Sequence, residues 1–325
     1  MQTEELMLKA MNYAYPGEIP IGVWFLPGAW MRHERELLRL AKKYPGLYGE
    51  IPDDYDYRKN ISQTYHTGSY TDEWGCVWTN IEEGINAIVT GHPLRRRGDI
   101  PGLKVPDPLG ATLLEGFTLP HGFMYLRLLD LRGFEEAMLD FAEECEELQI
   151  LIDKVTEFNC RQLEAALPGS GPVLYFGDDL GTQRGLAIGP EKWRKYLFPA
   201  FKKIYSVAKS AGKKVYMHTD GMIYEIIPDL FLAGVDMVNP QYRANGLGNL
   251  VRVCKGRYPV NLDLDRQMFP LATPKECAEH VRECVEALYL PSGGLGITIE
   301  IGADVPVANI EALMGAADEY RYYKR

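Results

Sequence analysis

Short apolar runs alternate with longer amphipathic segments through the second half of the chain. Five runs rich in β-branched and aromatic residues predict strands. They cover residues 171–177, 213–218, 236–240, 258–264 and 296–301. The segments between them carry helix-start signals, such as Pro190 and the capping-box sequence at 273–276. A doubly wound sheet is one solution, but regular strand–helix spacing without a glycine-rich phosphate loop favours an α/β (β/α)8 TIM barrel.

An eight-stranded barrel needs three more strands from the first half. Residues 19–25 predict one, and residues 122–128 and the region of Trp74–Trp78 are candidates for the others. Residues 134–167 predict a long amphipathic helix or a helix pair. The segment 44–110 is rich in Gly, Pro, Tyr and Asp and is too long for an ordinary loop. We interpret it as an insertion or lid near the active site, within a single domain over residues 1–325.

Polar side chains recur on one face of four of the predicted strands. Residues two apart share a face, so Ile297, Ile299 and Ile301 form an apolar face and Thr298 and Glu300 lie opposite. The same alternation predicts co-facial polar pairs on three other strands. These pairs are His218 with Asp220, Asn239 with Gln241, and Asn261 with Asp263.

The polar strand ends predict an active site centred on His218 and Asp220, because TIM-barrel enzymes keep their sites at the C-terminal strand ends. Asp178 and Asp179 follow the strand at 171–177. Each Asp could instead cap a helix, and an inward histidine is commonly a hydrogen-bonded core residue. Several unpaired buried charges would be costly, however. Their convergence favours a polar substrate or a metal ion.

The same residues could form a metal site. His218 and Asp220 point the same way from one strand, and Glu300 from a facing strand would be the third ligand. Three protein ligands and an open position describe a catalytic zinc site. The pattern leaves zinc and a metal-free site equally open.

Composition and charge limit the classes of partner that we expect for the protein. The formal net charge of −10 argues against nucleic acid or an anionic membrane as the main partner. No apolar stretch has the length of a membrane span, and the first residues do not resemble a secretory signal. Six scattered cysteines form no Cys-x-x-Cys pair. We expect a cytoplasmic protein with reduced thiols.

Several segments resemble the uroporphyrinogen decarboxylase superfamily. Residues 177–204 contain Gly-Asp-Asp-Leu-Gly-Thr-Gln and the helix that follows it. Residues 214–241 contain the His-x-Asp-Gly and Gly-Val-Asp-Met-Val-Asn-Pro sequences. Residues 18–25 and 303–320 are similar to the first strand and last helix of that family. The resemblance implies a (β/α)8 barrel. Family barrels often form homodimers, and the sequence leaves a monomer and a homodimer open.

The true decarboxylases of the family carry Arg-Gln-Ala-Gly-Arg after the first strand. Here the aligned run is Pro27-Gly28-Ala29-Trp30-Met31, so both carboxylate-binding arginines are replaced. The family's late histidine is also replaced, by the run 302–304, Gly-Ala-Asp. The resemblance therefore argues against porphyrinogen decarboxylation.

The other branch of the family comprises corrinoid-linked methyltransferases. Members acting on thiols bind zinc through His-x-Cys and a later Cys, whereas this chain has Asp220 at the first Cys and no Cys near 297–302. This fits a subgroup that moves methyl from methoxylated compounds or methylamines to cobalt. The chain lacks an Asp-x-His-x-x-Gly corrinoid motif. The resemblance thus implies an O-demethylase-type methyltransferase with a small methyl donor and a separate corrinoid protein.

Residue roles follow from combining the pattern with the resemblance. The catalytic candidates are His218, Asp220 and Asp179. The candidates for substrate binding are Tyr175, Gln183, Asn239, Asp263, Trp24 and Trp74, the last two within an aromatic wall that includes Tyr70, Trp78 and Trp30. Two alternatives stay open. They are a decarboxylase-type enzyme acting on a smaller acid without corrinoid, and a non-catalytic binding protein on a decayed barrel.

Overall fold

The computed structural model describes residues 2–109 and 118–324. Its α-helices are α1 (Gln2–Met11), α2 (Pro27–Lys43), α3 (Pro45–Tyr48), α4 (Tyr125–Arg132), α5 (Phe134–Glu143), α6 (Glu146–Ala166), α7 (Gly189–Lys192), α8 (Phe198–Ser210), α9 (Ile227–Ala233), α10 (Tyr242–Asn245), α11 (Leu247–Cys254), α12 (Pro274–Leu288) and α13 (Val307–Tyr320). Its strands are β1 (Ile21–Phe25), β2 (Gly68–Thr71), β3 (Val77–Asn80), β4 (Ile88–Gly91), β5 (Val173–Gly177), β6 (Lys214–Thr219), β7 (Met237–Pro240), β8 (Val260–Asp263) and β9 (Leu295–Ile301). A π-helical turn, Trp193–Leu197, links α7 to α8.

The chain divides into two compact units. Unit 1 comprises Met1–His66, Glu82–Asn86 and Asn239–Arg325, and unit 2 comprises Thr67–Ile81 and Ala87–Val238. The segment 44–110, predicted as an insertion or lid, is shared between them. Its role as a lid and the single-domain organisation stay predictions.

Unit 1 contains a parallel sheet in which β9 lies between β1 and β8. Ile297, Ile299 and Ile301 are completely buried, as the alternation predicts. The predicted capping box of α12 is also present, with Thr273 Oγ1 accepting from the Glu276 N–H and the Glu276 carboxylate accepting from the Thr273 N–H. Local sequence signals therefore suffice for this part of the fold.

Unit 2 contains the parallel pair β5 and β6, with Gly177 opposite His218 in the register. Helix α8 packs against this pair, and α6 packs against α8. Phe176 of β5, for example, packs edge-on against Tyr205 of α8 with ring centroids 5.2 Å apart. The long helical pattern at 134–167 is the predicted helix pair, α5 and α6. They are separated at Glu144, whose φ of 54° is left-handed.

The predicted strand at 122–128 is wrong, because α4 begins there at Tyr125. Tyr125, Leu128 and Leu131 are buried at helical spacing. A short apolar run does not separate a strand from a buried helix. Here the first N–H groups of the helix are bound by Asp178, a residue distant in sequence.

The predicted barrel strand near Trp74–Trp78 is also wrong. Residues 77–80 form β3 at the centre of a three-stranded antiparallel sheet with β2 and β4, which cannot continue a parallel barrel. The turn before β3 is organised by the Asp72 carboxylate, which accepts from the N–H groups of Trp74 and Cys76. This local bonding favours a hairpin over an extended crossover strand.

The cysteines are free, as expected for packing residues, and five of the six are buried. Burial raises the pKa of Cys76 and of Cys254 to about 12, so these thiols stay protonated near neutral pH. Among the described residues, no helix combines the length and apolar character required to cross a membrane.

Candidate active site

The site is built on the C-terminal ends of β5 and β6 in unit 2. The Asp178 N–H donates to the His218 carbonyl at 3.1 Å, which carries the pairing one residue beyond the end of β5. Further along, the Gly181 N–H donates to the Asp220 carbonyl at 3.1 Å. The two loops that leave the strands are therefore held together by their backbones.

Two glycines permit this close approach. A Cβ on Gly221 would lie 2.1 Å from the Gly181 carbonyl oxygen, and one on Gly181 would lie 2.6 Å from the Met222 nitrogen. Gly221 also has a φ of +82°, which L side chains rarely adopt. Because Asp220 precedes Gly221 and Asp179 lies two residues before Gly181, this contact fixes both carboxylates near each other.

His218 lies on the same face of β6 as Tyr216. Tyr175 of β5 lies opposite Tyr216 in the register. The two tyrosine rings are 5.1 Å apart. The opposite face is apolar or buried, with Val215, Met217 and Thr219 inaccessible to solvent. The predicted alternation along β6 is therefore confirmed.

His218 and Asp220 form an imidazole–carboxylate pair with Nε2 and Oδ1 3.3 Å apart. Their side chains are 18% and 26% exposed, so the pair is partly shielded and still open to a ligand. Asp179 lies beside it, because its Oδ1 accepts from the Asp220 N–H at 3.4 Å. The three catalytic candidates are thus brought together.

His121 joins this group and was not predicted from the sequence. Its Nε2 lies 3.3 Å from Asp179 Oδ1, and its ring centroid is 5.7 Å from that of His218. It lies in an irregular segment between Pro120 and Gly122, without an alternating pattern to indicate its direction. A histidine flanked by turn residues just before an apolar run was the only signal available.

The His121 segment is attached to β5 at both ends. The Thr118 N–H donates to the Tyr175 carbonyl at 2.7 Å, and the Gly122 N–H donates to the Gly177 carbonyl at 2.8 Å. Thr118 Oγ1 also accepts from the Tyr175 N–H at 3.0 Å. His121 is therefore held against the end of β5 by main-chain bonds.

Asp178 is buried beneath the site and does not line it; it binds the start of α4. The carboxylate is completely buried and accepts from the N–H groups of Met124, Tyr125 and Leu126 at the start of α4. Burial raises the pKa of Asp178 to about 7, and the N–H groups of Leu126 and Tyr125 oppose that rise. Its capping role is the alternative that the sequence left open, although α4 precedes Asp178 in the chain.

Asn239 and Asp263 lie in unit 1 and are buried. Asn239 Nδ2 donates to the Asn261 carbonyl at 2.6 Å, which ties the end of β7 to β8. Residue Gln241 forms a parallel bridge with Asp263 beyond the end of β7. These residues occupy strand ends as predicted, and their roles in substrate binding stay predictions.

Trp24 and Glu300 are opposite each other on β1 and β9, also in unit 1. Trp24 is 56% exposed, and the Glu300 carboxylate is paired with the Arg266 guanidinium. A ligand role for Glu300 would have to compete with this ion pair. The predicted metal set of His218, Asp220 and Glu300 stays a prediction.

The remaining aromatic candidates have unequal exposure. Trp74 is 4% exposed and packs edge-on against Phe158, with centroids 4.7 Å apart, in the manner of a core side chain. Trp30 is buried against Tyr57 at 5.4 Å. Gln183 lies in the exposed loop after β5. These side chains thus lie in different environments, and their roles in substrate binding stay predictions.

Three side chains in unit 2 offer a metal a converging set of donors. Single ligand atoms of His121, Asp179 and His218 all lie within 4.8 Å of one another. Two of these residues were predicted for the site, but only His218 was predicted as a metal ligand. Two imidazoles and one carboxylate are a donor set that zinc and other late divalent metals accept.

Comparisons with known proteins assign the chain to a family. The sequence profile described as uroporphyrinogen decarboxylase (URO-D) matches residues 128–320, which is well over half of the chain. The chain belongs to the URO-D family. The matched region includes β5 and β6 together with His218, Asp220 and Asp179, whereas His121 lies just before it. A comparison with curated proteins gives no significant match.

A solved structure resembles the chain over nearly all of its length. It is a methyltransferase from Methanosarcina mazei, with a TM-score of 0.65 and 17% sequence identity, covering 96% of this chain and 97% of that chain. At this identity the likeness establishes the fold. The predicted (β/α)8 barrel class is confirmed, since the URO-D family has that fold.

Membership of the URO-D family does not by itself assign the decarboxylase reaction. The resemblance to the true decarboxylases sets Pro27, the first residue of α2, and Met31 at the positions of their two arginines, outside the residues 128–320 that the family profile matches. Neither side chain can bind a carboxylate as a guanidinium does. The active-site candidates of this URO-D chain must therefore be interpreted from their own chemistry.

Proposed function

We propose that the chain is a methyltransferase that moves a methyl group from a small methoxylated or methylated donor, aromatic in some cases, to the cobalt of a separate corrinoid protein. The observation that carries the proposal is the partly open His218–Asp220 pair at the end of β6 in a URO-D family chain. The resemblance to a methyltransferase structure over 96% of the chain supports the same class of reaction.

The difficult part of such a reaction is the leaving group. When the carbon–oxygen bond of a methyl ether breaks, its electron pair stays on the oxygen, and that oxygen needs a proton. A positioned general acid typically accelerates such a step by about 10²- to 10⁴-fold. The partner's reduced cobalt supplies the nucleophile that receives the methyl group. The chain itself must bind the donor and protonate the oxygen.

His218 and Asp220 are suited to hold that proton. Histidine is the side chain that most readily exchanges a proton near neutral pH, and the Asp220 carboxylate lies 3.3 Å from His218 Nε2, close enough to orient the ring. Asp179 sits beside the pair and accepts from the Asp220 N–H. In the metal-free form of this proposal His218 is the acid, Asp220 orients its ring, and Asp179 adjoins the pair.

A zinc ion is the second way to activate the same oxygen. Bound through His218, it would supply a Lewis acid that stabilises negative charge on the leaving oxygen. The predicted ligand set adds Asp220 and Glu300. Substrate orientation is assigned to Tyr175, which lies opposite Tyr216 in the register of β5 and β6. By the same prediction it is assigned to the other substrate-binding candidates: Gln183, Asn239, Asp263, Trp24 and Trp74.

The test is methyl transfer to free cob(I)alamin in the absence of oxygen. Methoxybenzoates, methoxyphenols and methylamines are offered in turn, and the demethylated product and the loss of cob(I)alamin absorbance are measured together. The proposal expects equal amounts of both with at least one donor. Absence of transfer from all donors would overturn it. Carbon dioxide release from a small carboxylic acid without cobalamin would support the decarboxylase alternative instead.

A further inference from the structure

The strongest unassigned feature is the group of His121, Asp179 and His218. Each residue contributes one ligand atom, and the three atoms lie within 4.8 Å of one another. They come from three separate places in unit 2, namely the irregular segment before α4, the loop after β5, and β6 itself. No local sequence motif would place His121 among them.

The spacing is close to that of a metal site. A tetrahedral zinc with bonds of about 2.0–2.1 Å has ligand atoms about 3.3 Å apart. His121 Nε2 and Asp179 Oδ1 are 3.3 Å apart. The other pairs of ligand atoms can reach this spacing through small side-chain rotations, because all three side chains are partly exposed and are not packed in the core.

The supporting structure fixes each donor independently. The His121 segment is bonded to β5 through Thr118 and Gly122. The Asp179 loop is held by the main-chain bond between Gly181 and Asp220. His218 lies within a paired strand. Metal sites need such rigid placement of their ligands, since loosely held donors bind weakly.

The geometry points to a divalent-metal site, occupied by zinc, whose protein ligands are His121, Asp179 and His218. Imidazole nitrogens favour zinc and other late first-row metals, whereas magnesium and calcium take oxygen ligands. Three protein ligands leave a coordination position open for a substrate oxygen, as in catalytic zinc sites. Asp220 lies 3.3 Å from His218 Nε2 and supports that imidazole from outside the ligand set.

This assignment departs from the predicted set in two ligands, replacing Asp220 and Glu300 by Asp179 and His121. Its catalytic role rests on the proposed function, because the open position would take the leaving oxygen of the methyl donor. Binding of the ion is a separate property. It can be measured without a donor or a corrinoid, so failure of methyl transfer and failure of metal binding are distinguishable.

The experiment is a calorimetric titration of chelator-treated full-length protein with Zn²⁺, accompanied by the visible spectrum of the Co²⁺-loaded form. We expect one zinc per chain, the absorption bands of a four- or five-coordinate Co²⁺ site, and no measurable binding of Mg²⁺. His121→Ala and Asp179→Asn should weaken zinc binding by more than the roughly 10- to 100-fold typical for loss of an outer-sphere partner. Asp220→Asn should stay within that range.

The matched control is His92→Asn. His92 belongs to the same unit and its Nδ1 bonds to the Asp130 carbonyl at 2.7 Å, so the asparagine amide can keep this contact. Zinc binding should equal that of the wild type. Absence of stoichiometric zinc binding by the wild type would overturn the assignment. Unchanged binding by His121→Ala, with loss in Asp220→Asn, would also overturn it.

Discussion

Asp178→Asn tests whether a buried carboxylate organises the support of the site. Asp178 Oδ2 accepts from the N–H groups of Met124 and Tyr125, and Oδ1 accepts from the N–H of Leu126. Asparagine keeps one acceptor oxygen and turns an NH₂ group toward the remaining N–H donors. At least one buried donor therefore loses its partner, and the other bonds lose their charge.

The expected cost follows from these bonds. A buried donor left unpaired costs about 1–3 kcal/mol, and a hydrogen bond to a charged group contributes about 1.5–3 kcal/mol. We expect Asp178→Asn to lower the free energy of opening α4 by about 2–4 kcal/mol, part of which the relief of charge burial offsets. At 1.4 kcal/mol per tenfold, amide exchange at Met124–Leu126 should accelerate by about 30- to 1,000-fold.

Hydrogen exchange read by mass spectrometry measures this effect, with urea unfolding as the global readout. Asp179→Asn is the matched control, because it makes the same chemical change one residue later on a side chain that is 31% exposed. Its stability should change by about 0.5 kcal/mol or less. Equal exchange at the start of α4 in the two variants would refute the capping argument.

Three further predictions concern stability. Burial lowers the pKa of His280 to about 4, and its Nε2 accepts from the Asp265 N–H. The neutral ring therefore stabilises the fold fully above pH 6.5, and about 3 kcal/mol of the free energy of unfolding should be lost as the pH falls toward 4. His280→Gln should flatten this pH profile of urea unfolding. Arg132→Met removes the closest guanidinium, at 2.7 Å, from the buried carboxylate of Asp140 and leaves that of Arg97 at 2.8 Å. The change should cost about 1.5–3 kcal/mol in urea unfolding, whereas a loss under 1 kcal/mol would contradict this account. Gly221→Ala should lower the melting temperature, because its Cβ would overlap the facing loop at 2.1 Å; an unchanged melting temperature would show that the contact is dispensable.

The side chains whose placement the sequence predicted correctly lie on regular strands. Alternation places His218 on the accessible face of β6 and buries Ile299 on β9, because a strand leaves only two directions for a side chain. Asp220 and Asp179 follow their strands closely enough to keep that relation. Sequence therefore predicted that these three candidates of unit 2 lie together, and their catalytic roles stay predictions.

The errors arose where distant residues determine the local structure. Asp178 stabilises the start of α4 from 52 to 54 residues away, so the helix signal is absent from the segment 122–128 itself. His121 is placed by main-chain bonds to β5, which no periodicity encodes. The environment of Trp74 is likewise set by a distant residue, because packing against Phe158 leaves 4% of it exposed; its role in substrate binding stays a prediction.

The most direct test of the central claim is single-turnover methyl transfer to cob(I)alamin by the wild type, His218→Ala and His92→Asn, with the donor found to be most active. The account predicts that His218→Ala lowers the rate by about 10²- to 10⁴-fold at unchanged unfolding midpoint, and that His92→Asn keeps the wild-type rate. A wild-type rate in His218→Ala would contradict the assignment of this site to methyl transfer.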